Sequence, residues 1–216
     1  MQAVQFLIDF VLHIDAHLVT LVNNFGNWTY LILFLIIFIE TGAVIMPFLP
    51  GDSLLFAACA MAANPNYNLN VWLFVVLFWF APVLGDSLNF IIGQKVGKSL
   101  TKNSFLGRFI KEEHLTQTEA FFEKHGGMSI TLARFMPIIR TFAPFVAGGS
   151  GFAYGNFIRH NLVGATAWVI ICCGAGYFFG NFTIVKEHFS MIILGIIFVS
   201  LIPALIGILK TKLQKK

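Results

Sequence analysis

The chain has 216 residues, of which 57% are hydrophobic and 11% are charged, and its formal net charge is +4. A typical soluble domain is about 25% charged, so this composition excludes a large soluble domain and predicts an integral membrane protein without a nucleic-acid partner. Because a spanning helix needs about 20 apolar residues, the chain is long enough for one compact all-α membrane domain.

Residues 1–27 are predicted to form an amphipathic helix. Apolar residues recur there at helical spacing, while His13 and His17 fall on another face, which is typical of a helix at the membrane interface. Two histidines four residues apart can also bind a metal ion, but the sequence brings no third strong ligand near them. We therefore expect no metal site and no cofactor.

The membrane domain is expected to cover residues 28–209, and a basic tail follows at residues 210–216. Within this domain the apolar blocks and their interruptions predict a re-entrant hairpin at about 40–63, a span at 70–92, a polar connector at 93–127, a re-entrant hairpin at about 128–150, and spans at 157–180 and 189–209. The predicted fold class is a helical bundle with two re-entrant helical hairpins plus spanning helices.

Two apolar segments carry charges and helix breakers at corresponding places. The first contains Glu40, Pro47, Pro50, Gly51 and Asp52, and the second contains Arg134, Pro137, Arg140, Pro144 and Gly148. Such interruptions in two halves of a chain indicate a transporter site built from broken or re-entrant helices. Ordinary spans kinked at proline are the alternative, because neighbouring helices can satisfy the freed backbone groups.

The connector and the tail are both rich in basic residues, so both are expected on the cytoplasmic side. Two complete spans separate them, and they share a side only if residues 128–150 enter and leave the membrane by the same face. Within the connector, residues Glu112 to His125 are predicted to form a short helix that stops at Gly126.

The charges in the apolar segments are expected to face the bundle interior, since a buried charge requires a partner. Glu40 and Asp52 can compensate Arg134 and Arg140 if the two interrupted segments meet, and Asp86 adds a fifth charge. The planar fork of arginine suits a phosphate, and a carboxylate can exchange a proton. Alternatively, the charges only hold the two hairpins together.

Glycine and proline are expected to shape this site. Gly148 lets backbone donors approach a phosphate, and Pro47 and Pro144 are predicted to end helices whose termini carry partial charge. Other small residues permit close helix crossings without indicating chemistry: Gly93, Gly176, Gly180, and Gly164 with Ala165 before Trp168.

The sequence GDSL occurs twice, in PGDSLLF at 50–56 and in LGDSLNF at 84–90. One family of serine hydrolases is named after this motif, but those enzymes have a soluble α/β fold and no α/β alternation surrounds the motif here. We therefore predict no enzymatic activity. Asp52 and Asp86 are interpreted as helix N-terminal acids or as carboxylates of the site.

Several motifs resemble the bacterial DedA family. They are Glu40, FLPGDSLLF at 48–56, EKHGG at 123–127, ARFMPIIRTFAPFVAG at 133–148 and the N-terminal run FLIDFVLHID. The resemblance covers nearly the whole chain, and the spacing of the acid, the PGD sequence and the paired arginines is specific.

The resemblance implies two inverted re-entrant hairpins followed by spanning helices, in the inner membrane of a Gram-negative bacterium, and a relationship to eukaryotic VTT-domain lipid scramblases. Members of the family are linked to transport that depends on the proton-motive force, and several resemble flippases of undecaprenyl phosphate or a phospholipid. The family's essential acids match Glu40 and Asp52, which implies proton coupling there. Its essential arginines match Arg134 and Arg140, which implies phosphate binding there.

The sequence thus predicts a proton-coupled transporter of lipid phosphates, with membrane lipids and protons as its partners. The residue pattern adds secondary site candidates: Asp86, Pro47, Pro50, Gly51, Pro137, Pro144 and Gly148. A small-ion or drug/H⁺ antiporter and a non-transporting membrane scaffold stay open as alternatives. The sequence indicates neither the lipid nor whether the chain forms a homo-oligomer.

Overall fold

A computed structural model describes residues 14–43, 51–96 and 112–180, together with 182, 183, 185, 191, 192 and 195. The helices are α1 (Ile14–Phe25), α2 (Trp28–Gly42), α3 (Gly51–Ala62), α4 (Val71–Val96), α5 (Glu112–His125), α6 (Met128–Ala133), α7 (Pro137–Gly149) and α8 (Tyr154–Phe179). A short 3-10 helix, Pro65–Tyr67, precedes α4. The described part of the chain is all-α, as the composition predicts.

Some predicted segments lie outside the described residues. They are the first half of the N-terminal helix at 1–13, Pro47 and Pro50, the middle of the connector at 97–111, most of the span at 189–209, and the tail at 210–216.

Among the described residues, two helices are long and apolar enough to cross a membrane, Val71–Lys95 and Tyr154–Phe179. At a rise of about 1.5 Å per residue, helices of this length exceed the hydrocarbon core of about 30 Å. Less than half of each apolar stretch is buried inside the protein, 44% and 33% respectively. Large apolar side chains such as Trp72, Ile170 and Phe178 are therefore exposed, as lipid-facing side chains are.

Each interrupted segment forms a pair of shorter helices. In the first segment α2 and α3 flank residues 44–50, and in the second α6 and α7 flank residues 134–136. In the second segment the break lies between Arg134 and Pro137, as the charges and prolines predict; in the first, α2 ends at Gly42, two residues after Glu40. A path that enters and leaves the membrane by one face stays a prediction for both pairs.

The two prolines of the second segment differ in position. Pro137 occupies the first turn of α7, where the missing N–H has no helical partner in any case. Pro144 lies inside α7, which continues to Gly149, so the prediction that Pro144 ends a helix is wrong. The helix continues because α7 is packed along its length against α5 and α6, and tertiary packing outweighs the lost backbone hydrogen bond.

The connector helix is confirmed. α5 covers Glu112–His125, and Gly126 follows with a φ of 56°. This left-handed conformation is available to glycine without a side-chain clash and ends the helix. The Gly126 N–H donates to the carbonyl of Phe122 at 2.7 Å, which satisfies one of the last carbonyls of α5.

The chain divides into two compact units. The first comprises the described parts of residues 1–36, 50–79 and 169–199, and the second those of residues 37–49, 80–168 and 200–216. In the first unit α1 packs on α3. Gly176 and Gly180 there lie so close to Phe56 and Ala60 of α3 that an added Cβ would collide with them, which confirms the predicted close crossing.

The second unit contains the charged residues discussed below, and its core is apolar. Six buried side chains form this core: Phe90, Ile130, Ala133, Ala143, Ala147 and Phe157. α4 and α7 cross at backbone contact, since a Cβ on Gly93 would meet the carbonyl oxygen of Phe145 and one on Gly148 would meet that of Phe90. Packing therefore accounts for Gly148, which was expected to open the backbone to a phosphate.

Candidate functional site

A buried ionic cluster lies within the second unit. Glu40, Asp86 and Arg134 are 8%, 4% and 5% exposed, and the Arg140 side chain is 14% exposed. Glu40 comes from the end of α2, Asp86 from the interior of α4, Arg134 from the turn after α6, and Arg140 from the start of α7. Four separate elements thus bring two acids and two arginines together away from water.

Arg134 has two hydrogen-bonded partners through one nitrogen. Its Nη2 donates to Oδ2 of Asp86, with which it forms a salt bridge, and to Oδ1 of Asn161 at 2.6 Å. Asn161 is completely buried on α8, and its Nδ2 donates to the carbonyl of Val83 at 3.3 Å. Because a charge-assisted hydrogen bond is about twice as strong as a neutral one, these contacts hold the guanidinium in a defined orientation.

The partner of Arg134 corrects two predictions. The hydrogen-bonded acid is Asp86 on α4, whereas the sequence predicted an acid of the first interrupted segment. Asp86 also lies far inside α4, which begins at Val71, so its interpretation as a helix N-terminal acid is wrong. The run of apolar residues before it continues the helix through Pro82, and the carboxylate is used as a counter-ion instead.

Arg140 and Glu40 form a looser pair. Arg140 Nη2 lies 3.7 Å from Glu40 Oε1, which is within ion-pair distance but beyond hydrogen-bond distance. An acid of the first interrupted segment thus meets an arginine of the second, as the charge pattern predicts. The longer distance makes this contact the weaker restraint of the two ion pairs.

An indole ring lies beside both arginines. The Cζ atom of Arg140 is 4.5 Å from the centroid of Trp168, and that of Arg134 is 5.8 Å from it. Trp168 is 2% exposed, and a cation near an aromatic face is stabilised most when both are desolvated. The ring therefore offsets part of the cost of bringing two positive charges into one buried site.

One face of α8 supplies most of the surroundings of Arg134. Asn161, Gly164 and Trp168 follow each other at spacings of three and four, which places them on one side of a helix. A Cβ on Gly164 would lie 3.3 Å from Arg134 Nε, so glycine leaves room for the side chain. The small face predicted before Trp168 is therefore where Arg134 packs.

Asn89 connects the elements around the cluster. Its Nδ2 donates to the carbonyl of Thr141 on α7 at 2.9 Å and to that of Thr41 on α2 at 3.4 Å. Asn89 and Asp86 are three residues apart and share a face of α4. One face of α4 therefore positions both helices that carry Glu40 and Arg140.

Several donors of the cluster have no protein acceptor. Within the described part of the chain, Nε and Nη1 of Arg134 are buried and donate to no hydrogen-bond acceptor. An unsatisfied buried donor destabilises a protein by about 1–3 kcal/mol, and more for a charged group. Buried guanidinium nitrogens of this kind are suited to an anion that supplies the missing acceptors.

The remaining predicted residues lie elsewhere or have another role. Asp52 belongs to the first unit, where it is half-buried in the first turn of α3 next to the buried Gly51. The interpretation of Asp52 as a helix N-terminal acid is confirmed.

Among the described residues, no group of three His, Cys, Asp or Glu side chains could hold a metal ion.

Sequence reasoning missed Asn161, Trp168 as a contact of the arginines, and Asn89. The position of Asn161 was a usable signal, because a polar residue inside a long apolar helix is rare and faces the interior of the bundle. Asn161 also lies seven residues before Trp168, two turns along one helix face. The identity of the residue opposite that face depends on how the helices pack, which the spacing alone does not give.

Comparison with known proteins identifies the family. The VTT domain matches residues 49–178. Protein DedA of Escherichia coli is 49% identical over 212 residues, covering 98% of this chain and 96% of that protein. An uncharacterized membrane protein of Mycobacterium tuberculosis is 41% identical over 183 residues, covering 85% and 80%. The inner membrane protein YghB of Escherichia coli is 30% identical over 211 residues, covering 96% and 92%.

No solved structure matches the chain. The domain match covers more than half of the sequence, and the similarity to DedA extends over nearly all of it. The chain therefore belongs to the DedA family of VTT-domain membrane proteins.

Proposed function

We propose that this protein is a proton-coupled transporter that moves a lipid phosphate between the leaflets of the bacterial inner membrane. The observation that carries the proposal is the buried cluster of Arg134, Arg140, Glu40 and Asp86, in which nitrogens of Arg134 lack an acceptor among the described residues. Arginine forks bind phosphate oxygens through charge-assisted hydrogen bonds, and the apolar helix exteriors suit a ligand that stays in the membrane.

The charge balance of the cluster supports coupling to protons. With both carboxyl groups ionised, two negative charges cancel the two positive charges of the arginines. Protonation of Glu40 leaves one net positive charge, which favours an anionic phosphate. Phosphate binding and protonation of Glu40 therefore strengthen each other, as linked equilibria must.

The two ion pairs suggest which arginine changes partner. Arg134 is held by two hydrogen bonds, whereas Arg140 contacts Glu40 at 3.7 Å. When Glu40 takes up a proton, its attraction for Arg140 falls, and the guanidinium turns to the phosphate. Asp52 is a second proton carrier in this scheme, as its match to the family's essential acids implies.

The proposed substrate class is defined by its phosphate. Undecaprenyl phosphate and a phospholipid share this group, and the arginines recognise the group rather than the tail. Relatives that are named inner membrane proteins support the same location for this chain. We further propose a multi-pass topology with a cytoplasmic C-terminus, and the basic connector and tail support this orientation.

Reconstitution of the full chain into proteoliposomes tests the proposal. We expect the wild-type protein to translocate undecaprenyl phosphate or a fluorescent phosphatidic acid, and we expect Arg140→Ala to reduce the rate by at least tenfold. Lys124→Gln is the control, because Lys124 is an exposed cation on α5 outside the cluster. Unchanged translocation in Arg140→Ala contradicts the proposal.

A different outcome indicates the antiporter alternative. If a pH gradient moves a monovalent cation or a cationic dye across the same vesicles while neither lipid phosphate moves, the cluster exchanges protons for cations. The two substrates can be assayed in one preparation, so the result separates the two functions directly.

A further inference from the structure

The nitrogens of Arg134 are used unequally. A guanidinium carries five N–H donors, and the two contacts of Arg134 with Asp86 and Asn161 both use Nη2. The Nε and Nη1 donors are buried without a hydrogen-bond partner in the described ranges. An arginine that only holds helices together would be expected to use all three guanidinium nitrogens in hydrogen bonds to the protein. The arrangement at Arg134 instead leaves two nitrogens for a ligand.

We propose that Asp86 and Asn161 are positioning residues, which hold Arg134 by Nη2 and leave its remaining N–H donors available to phosphate oxygens. This inference rests on the proposed function for the identity of the ligand. The positioning itself rests on the contacts of Arg134 alone.

The orientation of Asn161 is fixed by α4. Its Nδ2 donates to the carbonyl of Val83 at 3.3 Å, which directs its Oδ1 towards Arg134. Val83 lies one helical turn before Asp86, so a single stretch of α4 supplies the carboxylate and also orients the amide. Because a carbonyl oxygen can only accept, the amide cannot turn round without losing a hydrogen bond.

The backbone around Arg134 is held on the same helix that carries Asn161. Thr131 on α6 donates to the carbonyl of His160 at 2.9 Å, and Gly164 lets α8 approach the guanidinium. The helix that precedes Arg134 is therefore hydrogen-bonded to α8, as is the guanidinium itself through Asn161.

A purely structural role for Asp86 and Asn161 makes a different prediction. If they only stabilise packing, their replacement lowers the unfolding temperature without a specific change in the motion of Arg134. If they position Arg134, its guanidinium gains freedom and its affinity for phosphate falls. The rate of rotation about the Nε–Cζ bond of Arg134 measures this freedom of the guanidinium without any ligand.

Side-chain NMR on the full chain in nanodiscs can resolve this rotation. The sequence contains only four arginines, Arg108, Arg134, Arg140 and Arg159, so selective ¹⁵N-arginine labelling gives few Nε signals. We expect Asn161→Leu and Asp86→Asn to accelerate the rotation of the Arg134 guanidinium by at least tenfold. Ser150→Ala is the control, since Ser150 is exposed at the end of α7 and donates to the carbonyl of Ala147.

Two results overturn the positioning. One is an Arg134 rotation rate in Asn161→Leu and Asp86→Asn equal to that of the wild type. The other is an equal acceleration at all four arginines, which indicates a general loss of packing. Asp86→Asn keeps an acceptor and a similar volume, so it remains informative if Asn161→Leu does not fold.

Titration with farnesyl phosphate, a short prenyl phosphate, tests the phosphate part. Asn161→Leu changes no charge, so an altered affinity reports the loss of a hydrogen bond to a charged group. We expect its Kd to rise about tenfold to a hundredfold, while the Kd of Ser150→Ala stays at the wild-type value. An unchanged Kd in Asn161→Leu overturns the inference. If the wild-type protein binds neither farnesyl phosphate nor phosphatidic acid, the proposed function is overturned. The rotation rates then decide the positioning alone.

Discussion

At the scale of single residues, the two arginines of the site have different surroundings. Arg134 is hydrogen-bonded to Asp86 and Asn161, while Arg140 lies beside Trp168 and pairs with Glu40 at 3.7 Å. Each arginine thus lies beside an acid of its own, and Trp168 lies near both. Their sequence context, a basic residue in an apolar run, is the same for both.

The Arg134–Asp86 pair yields a prediction about stability. Arg134→Met leaves Asp86 buried without its counter-ion, which destabilises a protein by about 3–5 kcal/mol. In the double variant Arg134→Met with Asp86→Leu, two apolar side chains replace the pair, and most of the lost free energy of unfolding should return. Unfolding titrations of the three proteins in mixed micelles measure this recovery. A double variant as unstable as Arg134→Met alone would show that the two residues are not energetically coupled.

Charges were predictable from the sequence, but their partners were only partly so. An acid or arginine inside an apolar segment must have a partner, which pointed to Glu40, Asp52, Asp86, Arg134 and Arg140; of these, Asp52 belongs to the first unit. The choice of Asp86 for Arg134 depends on the faces that α4 and α8 present to each other. That information resides in the packing of helices distant in sequence.

At the scale of elements, close helix crossings determine where the charged side chains meet. Gly93 on α4 and Gly148 on α7 each lie against the backbone of the other helix. This contact brings the face of α4 that carries Asp86 and Asn89 next to the helix that carries Arg140. A larger side chain at the crossing separates the elements that build the site.

Replacement of Gly93 tests this role. Gly93→Ala places a Cβ against the carbonyl oxygen of Phe145, and overpacking of this kind destabilises by about 1–3 kcal/mol. Gly174→Ala is the matched control inside α8, where an added Cβ meets nothing within 4 Å. It should be neutral or stabilise by up to about 1 kcal/mol, because alanine favours helix. Equal melting temperatures of the two variants would contradict the crossing.

Local signals predicted some elements better than others. The bounds of α5 were predictable because its polar face and the following Gly126 act within the segment itself. Pro144 was misassigned, since a proline in a packed membrane helix need not end it. The predicted hairpin path of the interrupted segments depends on the position of the bilayer, which lies beyond any local pattern.

At the scale of the whole molecule, membership of the DedA family and the apolar exterior of α4 and α8 make this a membrane protein with ionisable residues in its interior. Ionisable residues inside a membrane protein mark pathways for ions, protons or charged substrates. The proposal that such residues move a lipid phosphate therefore has to be tested across an intact bilayer.

The most direct test measures lipid and proton movement together in proteoliposomes that contain a pH-sensitive dye. We predict that a proton gradient drives undecaprenyl phosphate or phosphatidic acid to one leaflet, that protons move with the lipid, and that a protonophore abolishes the effect. In Glu40→Gln both movements should be lost, while Lys124→Gln retains them. Lipid movement that is independent of the gradient and equal in Glu40→Gln would contradict proton-coupled transport of a lipid phosphate by this cluster.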